Sequence, residues 1–402
     1  MAIRPQSIAF TVLLGALAAL PPLSIDMGLP AFPALESDLR TSAAGAGLTL
    51  SVFMAGFSVS QLLLGPLSDR YGRRPVLLAG LLLYAVAGFL CAGVPSIGTL
   101  IGIRLIEGAC AASGTVMAFA ITRDTFEGAA ARQRLSYVAM VLSVAPVIAP
   151  TLGGWALLVG GWRAIYAFLG LAGVALLFAV GAGLAETRRP PVGTVRVLSG
   201  FVRMLCHRRA IGHALTNAMS FGALFAYVSG SPLVLMGTLG VSATSYGLMF
   251  AIVSGGIMLG AWMNSQVAGE AGAARAALAW ALIVSVATSV ALLAVTTHGV
   301  VTLATLLPLL IVHAFCRGIS APNATHGALE PMGEIAGLAS AVIGFLQMAT
   351  GALSSALVAV LFPRLGPSAM AMVMTGFSAA ALVIWGVTMR AARRPVAISV
   401  VD

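Results

Sequence analysis

The sequence predicts an all-α membrane protein, with twelve transmembrane helices arranged as two six-helix pseudo-repeats. Three observations carry that prediction. Only 8% of the residues are charged and 59% are hydrophobic, with a mean hydropathy of +1.02, whereas a soluble domain carries about 25% charged residues. Such a chain cannot cover a water-facing surface, so lipid is the solvent it fits. Its apolar runs are long and continuous rather than alternating, which favours helices over an outer-membrane barrel. Finally, 402 residues hold a dozen spans of about 20 residues joined by short loops.

Apolar runs bounded by charge or by Pro and Gly clusters place the spans at 8–30, 45–65, 76–94, 97–121, 135–158, 162–185, 211–235, 244–266, 274–296, 299–322, 336–362 and 367–389. Arg4 is followed by a run that stays apolar to Pro22 without an Ala-x-Ala pattern, so the first run reads as an uncleaved span. The long polar stretch 186–210, with Glu186, Arg188, Arg189, Pro190, Pro191, Arg196, Arg203, Arg208 and Arg209, divides the spans six and six. The chain is accordingly divided into a first half (1–187), a cytoplasmic linker (188–210) and a second half (211–402).

All 22 basic residues are arginine and the net charge is +10. Their placement is that of topogenic charge, not of a nucleic-acid surface. Seventeen fall on the side of the N-terminus, in loops that include Arg70, Arg73, Arg74, Arg123, Arg132, Arg134, Arg275, Arg390, Arg393 and Arg394. The opposite loops hold Arg40, Arg163 and Arg364, and Arg104 and Arg317 lie inside spans. By the positive-inside rule both termini and the linker are cytoplasmic. Cys91, Cys110, Cys206 and Cys316 show no metal-ligand or redox spacing and read as free thiols. No metal or other cofactor is called for.

The halves echo each other at an offset near 200 residues. Leu48 through Gly65 lines up with Leu248 through Ser265, and Gly28-Leu-Pro30 with Gly230-Ser-Pro232. Parallel six-helix repeats enclosing a cavity are one architecture of secondary transporters.

Four stretches carry chemistry. The first, Gly65-Pro-Leu-Ser-Asp69-Arg70-Tyr-Gly72-Arg73-Arg74, reads as a short loop after the second span. Its glycines suit close packing and a tight turn, and its charges suit a network that breaks and re-forms as helix ends move. In the second half, Ser265 to Gly272 keeps Gly269 and the acid Glu270 but has lost the basic run. The second stretch is in span five, where Pro146, Pro150, Gly153 and Gly154 suit a kinked helix and the close approach of a neighbour. The third is Arg104-Leu-Ile-Glu107-Gly108 in span four. An Arg deep in an apolar helix costs at least ~2.5 kcal/mol and must face the bundle interior with a partner; Glu107, three residues on, is on the right face. The fourth is Asp26, the only acid of the first span. A carboxyl there either loads and unloads protons or marks an exposed outer boundary.

Weaker signals surround these. Arg317 either lines the cavity or snorkels to the headgroups, with His313, Asn323 and His326 along the same span. Glu330 and Glu334 break the basic trend of their side and suggest salt-bridge partners for the 65–74 charges. Met219, Phe221, Phe225, Tyr227, Met249 and Phe250 read as lipid-facing or packing residues, some of them a soft wall for apolar ligands.

The 65–74 stretch resembles the signature loop of the major facilitator superfamily. Ala149-Pro-Thr-Leu-Gly153-Gly154 is similar to the Gly-Pro-x-x-Gly-Gly antiporter motif of its exporters, with Ala149 in place of the first Gly. The family's Arg-x-x-Gln-Gly, whose Arg is linked to proton transfer, appears with Glu107 in place of Gln. Together with Asp26 to Pro33, Arg123-Asp124, Gly161-Trp162-Arg163-Ala-Ile-Tyr166 and Glu186-Thr187, these residues resemble the Bcr/CflA family of drug-resistance exporters over most of the first half. The second half matches mainly in helix count and in Asn323-Ala324. The resemblance implies a major facilitator fold in a bacterial inner membrane and proton-coupled efflux of small molecules such as bicyclomycin, amphenicols and sulfonamides.

The implied partners are a small-molecule substrate, protons and the bilayer, with the chain acting as a monomer. An importer or exporter of a small metabolite (an amino acid, peptide or sugar) shares the fold but is not favoured by the span-five motif. No clustered His/Asp or Ser/His pairs suggest an enzyme, no filter repeat suggests a channel, and no nucleotide-binding loop makes ATP the energy source.

Overall fold

The structure is a computed structural model and describes residues 3–188, 197–267 and 271–392. Arg189, Pro190, Pro191, Arg196, Gly269, Glu270, Arg393 and Arg394 lie outside the described residues, as does the side chain of Arg132. The regular elements among the described residues are all helical: α1 (Ile8–Asp26), α2 (Phe32–Asp38), α3 (Ala43–Tyr71), α4 (Arg73–Gly93), α5 (Ile97–Thr125), α6 (Gly128–Gly183), α7 (Val197–Cys206), α8 (Arg208–Ser231), α9 (Ala243–Val267), α10 (Ala271–Thr297), α11 (Leu303–Leu329), α12 (Ala336–Leu365) and α13 (Pro367–Ala392).

Ten uninterrupted runs among the described residues are long and apolar enough to cross a membrane. Two of them, of 56 and 63 residues, are far longer than the ~20 residues a crossing needs. The first breaks at Gly160 (φ −155°, ψ 28°) and Gly161 (φ 66°, ψ −166°), the only non-helical dihedrals in α6. The second is divided by the 3-10 turn Glu330–Ile335 between α11 and α12. Counted by crossings, the bundle has the twelve segments read from the sequence. Pro146 and Pro150 lie inside the first limb of α6 with helical dihedrals, so the chain turns at the glycines.

Helix starts at one end of the bundle are set by side-chain caps. Ser42, Ser96 and Thr302 accept the backbone N–H groups of Gly45, Thr99 and Thr305 at 3.2–3.3 Å, which satisfies donors that a helix start leaves without a partner.

Close packing within each half repeats. In the first half, Gly56 of α3 and Gly108 of α5 let the backbones meet at Leu105 and Phe53; in the second, Gly260 of α9 and Gly318 of α11 do the same at Phe315 and Ile257. Small residues of this kind drive helix association in lipid, where apolar burial supplies little. The halves meet along two seams, α3 against α12 and α6 against α9. Ser58 donates to the Phe345 carbonyl at 3.2 Å on the first. On the second, a Cβ on Gly247 would lie 2.9 Å from Thr151 Cα.

The linker is not wholly extended polar chain: it contains α7, whose Gly200 rests against Leu338 of the second half.

Candidate functional site

Among the sequence-predicted groups, the 65–74 stretch is not a loop. Helix α3 continues through Tyr71, α4 starts at Arg73, and only Gly72 leaves helical geometry, with φ 101° and ψ 152°. Glycine is required there on two counts, since that φ strains any side chain and a Cβ would fall 2.6 Å from Glu186 Oε2. Gly65, by contrast, has nothing within 4 Å of where a Cβ would sit, so it makes no close packing contact.

The rigid corner at Gly72 brings four elements together. The Arg73 guanidinium bridges Asp69 at 2.6 Å and Asp124, at the end of α5, at 2.8 Å, and also donates to Ser68 Oγ at 2.5 Å. Arg74 donates to the Gly181 carbonyl at 2.7 Å, and Arg188 to that of Arg70 at 3.0 Å. Arg70 itself lies over its neighbour Tyr71, 5.3 Å from the ring. Glu186, beyond the end of α6, accepts the backbone N–H groups of Arg73 (2.9 Å), Arg74 (3.1 Å), Thr187 (3.0 Å) and Arg188 (2.9 Å). Partial burial alone would raise its pKa, but these four donors outweigh it and hold the carboxyl below its usual range.

Sequence reading missed the roles of Ser68, Asp124 and Glu186. The available signal was a carboxylate at the end of an apolar run beside basic residues.

Glu330 and Glu334 are not partners of this cluster. They pair with Arg209 (2.8 Å) and Arg203 (2.7 Å), tying α7 and the start of α8 to the turn after α11. Spatial order overrides proximity of charge: both acids and both arginines belong to the second half and its linker.

Arg104 and Glu107 form the expected pair, 2.8 Å apart and 3% and 0% exposed. Arg104 also donates to the Ser24 carbonyl of α1 at 3.0 Å and lies 4.2 Å from the Phe53 ring and 5.5 Å from that of Tyr166. The pair thus lies inside the first half, fastened to α1.

Asp26 closes α1 and is 4% exposed, so it is not a solvated boundary residue. It forms no ion pair among the described residues, and Arg104 is committed to Glu107 and Ser24. The 3-10 turn Leu29–Ala31 that follows α1 touches both α9 and the π-helical turn Pro232–Thr238. Gly153 of α6 is pressed against the Met27 carbonyl, one residue from Asp26, and a Cβ on Gly154 would lie 3.2 Å from the Ala243 carbonyl of α9. The Pro/Gly helix therefore packs directly behind Asp26 and across the seam.

In the second half Arg317 does not snorkel. It is 6% exposed, donates to Asn217 Oδ1 at 2.7 Å and lies 5.6 Å from the Phe221 ring. Phe225, Tyr227 and Phe250 are buried, and Met219, Phe221 and Met249 are half-buried, so this set packs inside the bundle rather than facing lipid. No cluster of His, Cys, Asp or Glu among the described residues could hold a metal.

Two six-helix halves joined along two seams, with charges buried inside each half, define a polytopic membrane transporter. The chain belongs to the Major Facilitator Superfamily, whose sequence pattern it matches over residues 14–355. It is 34% identical over 364 residues to a Bacillus subtilis protein described as an uncharacterized MFS-type transporter, YdgK, covering 88% of this chain and 89% of that one. It is 29% identical to a bicyclomycin resistance protein homolog of Haemophilus influenzae (89% and 90% covered). Multidrug resistance protein D of Escherichia coli matches at 26% identity (95% and 96% covered). In fold it is similar to a bacterial homolog of the human lysosomal transporter Spinster in an inward-facing, occupied conformation. There the TM-score is 0.74 at 13% identity, with 97% of both chains covered. The D-xylose-proton symporter follows at a TM-score of 0.69 and 15% identity, with 94% and 98% covered. The chain is a multi-pass transporter of small molecules and not an enzyme.

Proposed function

We propose that this transporter exports small drug-like molecules, of amphenicol, bicyclomycin or sulfonamide type, across a bacterial inner membrane in exchange for protons. It works as a monomer by alternating access, with both termini cytoplasmic. Relatives named for bicyclomycin and multidrug resistance support the substrate class. The arginine asymmetry supports the orientation.

The observation that supports proton coupling is Asp26: a buried carboxylate with no cation partner among the described residues, at the end of α1 where the following turn meets α9 of the opposite half. Holding it ionised in a low-dielectric interior is costly, so taking up a proton relieves that cost. Because it stands at the join of the halves, its charge state biases how they pack. Arg104 acts from behind, through Ser24, on the end of α1 that carries Asp26.

Two measurements test this. Expression in a pump-deficient host should raise resistance to chloramphenicol, bicyclomycin or a sulfonamide. In proteoliposomes an imposed pH gradient should drive counter-movement of the same compound, and Asp26→Asn should stop it. Transport that requires ATP and ignores a protonophore, or an Asp26→Asn variant coupled like wild type, would reject the proposal.

A further inference from the structure

Arg104 and Arg317 lie on topologically matching helices, the fourth of each half, yet their surroundings differ. Three residues beyond Arg104 stands Glu107, which neutralises it at 2.8 Å. Three residues beyond Arg317 stands Ser320, whose hydroxyl is 3.1 Å from Ser220. Arg317 is 6% exposed and forms no ion pair among the described residues. The only hydrogen bond its guanidinium makes there is to Asn217 Oδ1, and that amide is itself oriented by donation to Thr325 Oγ1 at 2.9 Å.

An arginine has five N–H donors in a fixed fork. Here one end of the fork is held by a neutral acceptor, and the charge is unbalanced. Burying such a charge is unfavourable unless something repays it. The guanidinium is one side chain from the seam between halves: it lies over Phe221, and Phe221 and Met54 of α3 both crowd the place a Cβ on Gly351 of α12 would take.

We propose that Arg317, positioned by Asn217, is a binding site for the anionic group of a transported organic acid, a carboxylate or an ionised sulfonamide. This rests on the exporter reading and narrows it to the acidic members of its substrates. The fork donates to two oxygens of a carboxylate side by side, and the ligand supplies the counter-charge that the fold omits. Phe221 and Phe225, with ring centroids 4.5 Å apart, give the apolar body of such a molecule an aromatic wall beside the guanidinium.

The test uses purified full-length protein and three probes: nalidixate, its neutral carboxamide, and chloramphenicol, each titrated calorimetrically, with sodium sulfate as a fourth arm. The expected result is nalidixate binding roughly tenfold or more tighter than the carboxamide, the scale of one charge-assisted hydrogen bond. Arg317→Gln should bring that ratio close to one, while Arg317→Lys should keep part of it. Asn217→Asp places a carboxylate on the guanidinium and guards against a folding artefact. Its charges are balanced, and it too should lose the preference. Equal binding of acid and amide by wild type, or a preference that survives Arg317→Gln, overturns the proposal. Sulfate binding with no nalidixate binding overturns the substrate assignment, since the site then takes only a free inorganic anion. If chloramphenicol binds and acids gain nothing, this inference fails alone; if no organic probe binds, the drug-export reading fails with it.

Discussion

Arg104 and Glu107 sit one helical turn apart on α5, joined at 2.8 Å where solvent does not reach, and Arg104 spends a second N–H on the Ser24 carbonyl of α1. Removing one member of a buried pair costs about 3–5 kcal/mol because the other is left uncompensated, whereas removing both is far milder. Arg104→Ala should therefore lower thermal stability and stop gradient-driven transport. Arg104→Ala with Glu107→Gln should regain most of the stability but not the transport, because the tie to α1 is still missing. Thermal unfolding and proteoliposome flux at matched expression separate the two effects, and full flux in the double variant would make the pair structural only.

Arg73 holds Asp69 and Asp124 at once. Asp69→Asn or Arg73→Ala should abolish transport while leaving normal amounts of folded protein in the membrane, since no helix depends on these charges for its backbone. Asp69 is 60% exposed, so its pair with Arg73 contributes only about 0–1 kcal/mol to stability, and the loss in Asp69→Asn lies in how the conformational states are weighted. Wild-type flux in either variant would leave the cluster a topogenic role alone.

Gly65 and Gly153 make a contrasting pair. Gly65→Ala meets open space inside a helix and should be neutral or stabilising by up to ~1 kcal/mol. Gly153→Ala drives a methyl into the Met27 carbonyl and should cost about 1–3 kcal/mol together with much of the transport. Parallel unfolding and efflux assays read both; equal tolerance would mean α6 does not brace the end of α1.

The Glu186 cap predicts a pH dependence. Its folded pKa is depressed, so its contribution is present above the ordinary carboxylate pKa and disappears as pH falls through the lower, folded value. Amide hydrogen exchange of Arg73 and Arg74 should stay slow at neutral pH and accelerate, relative to amides deep in α4, on acidification below the usual glutamate range. Glu186→Gln should remove most of that pH step, and an unchanged step would assign it to another group.

Much of this was legible in the sequence. Twelve apolar runs, the six-and-six division and the Arg104–Glu107 pair follow from composition, repeat and i+3 spacing, which are local properties. Asp26 and Arg317 are legible as candidates, but their surroundings are not, because Gly153 and Asn217 come to them from other helices. The partners of Glu330 and Glu334 were misread for the same reason: charge complementarity suggests many pairings and only the packing of α7 selects one. Gly65 shows the converse, since a motif glycine need not touch anything.

The ion pairs Arg203–Glu334 and Arg209–Glu330 change the polymer problem of joining two domains. Alone, the chain from Gly183 to Arg208 would be a long leash. With α7 moored to the second half and Glu186 moored to α4, each end of the linker is tied to the half it adjoins. Tying a tether down at both ends shortens its effective length, and a shorter tether raises the local concentration of one domain around the other.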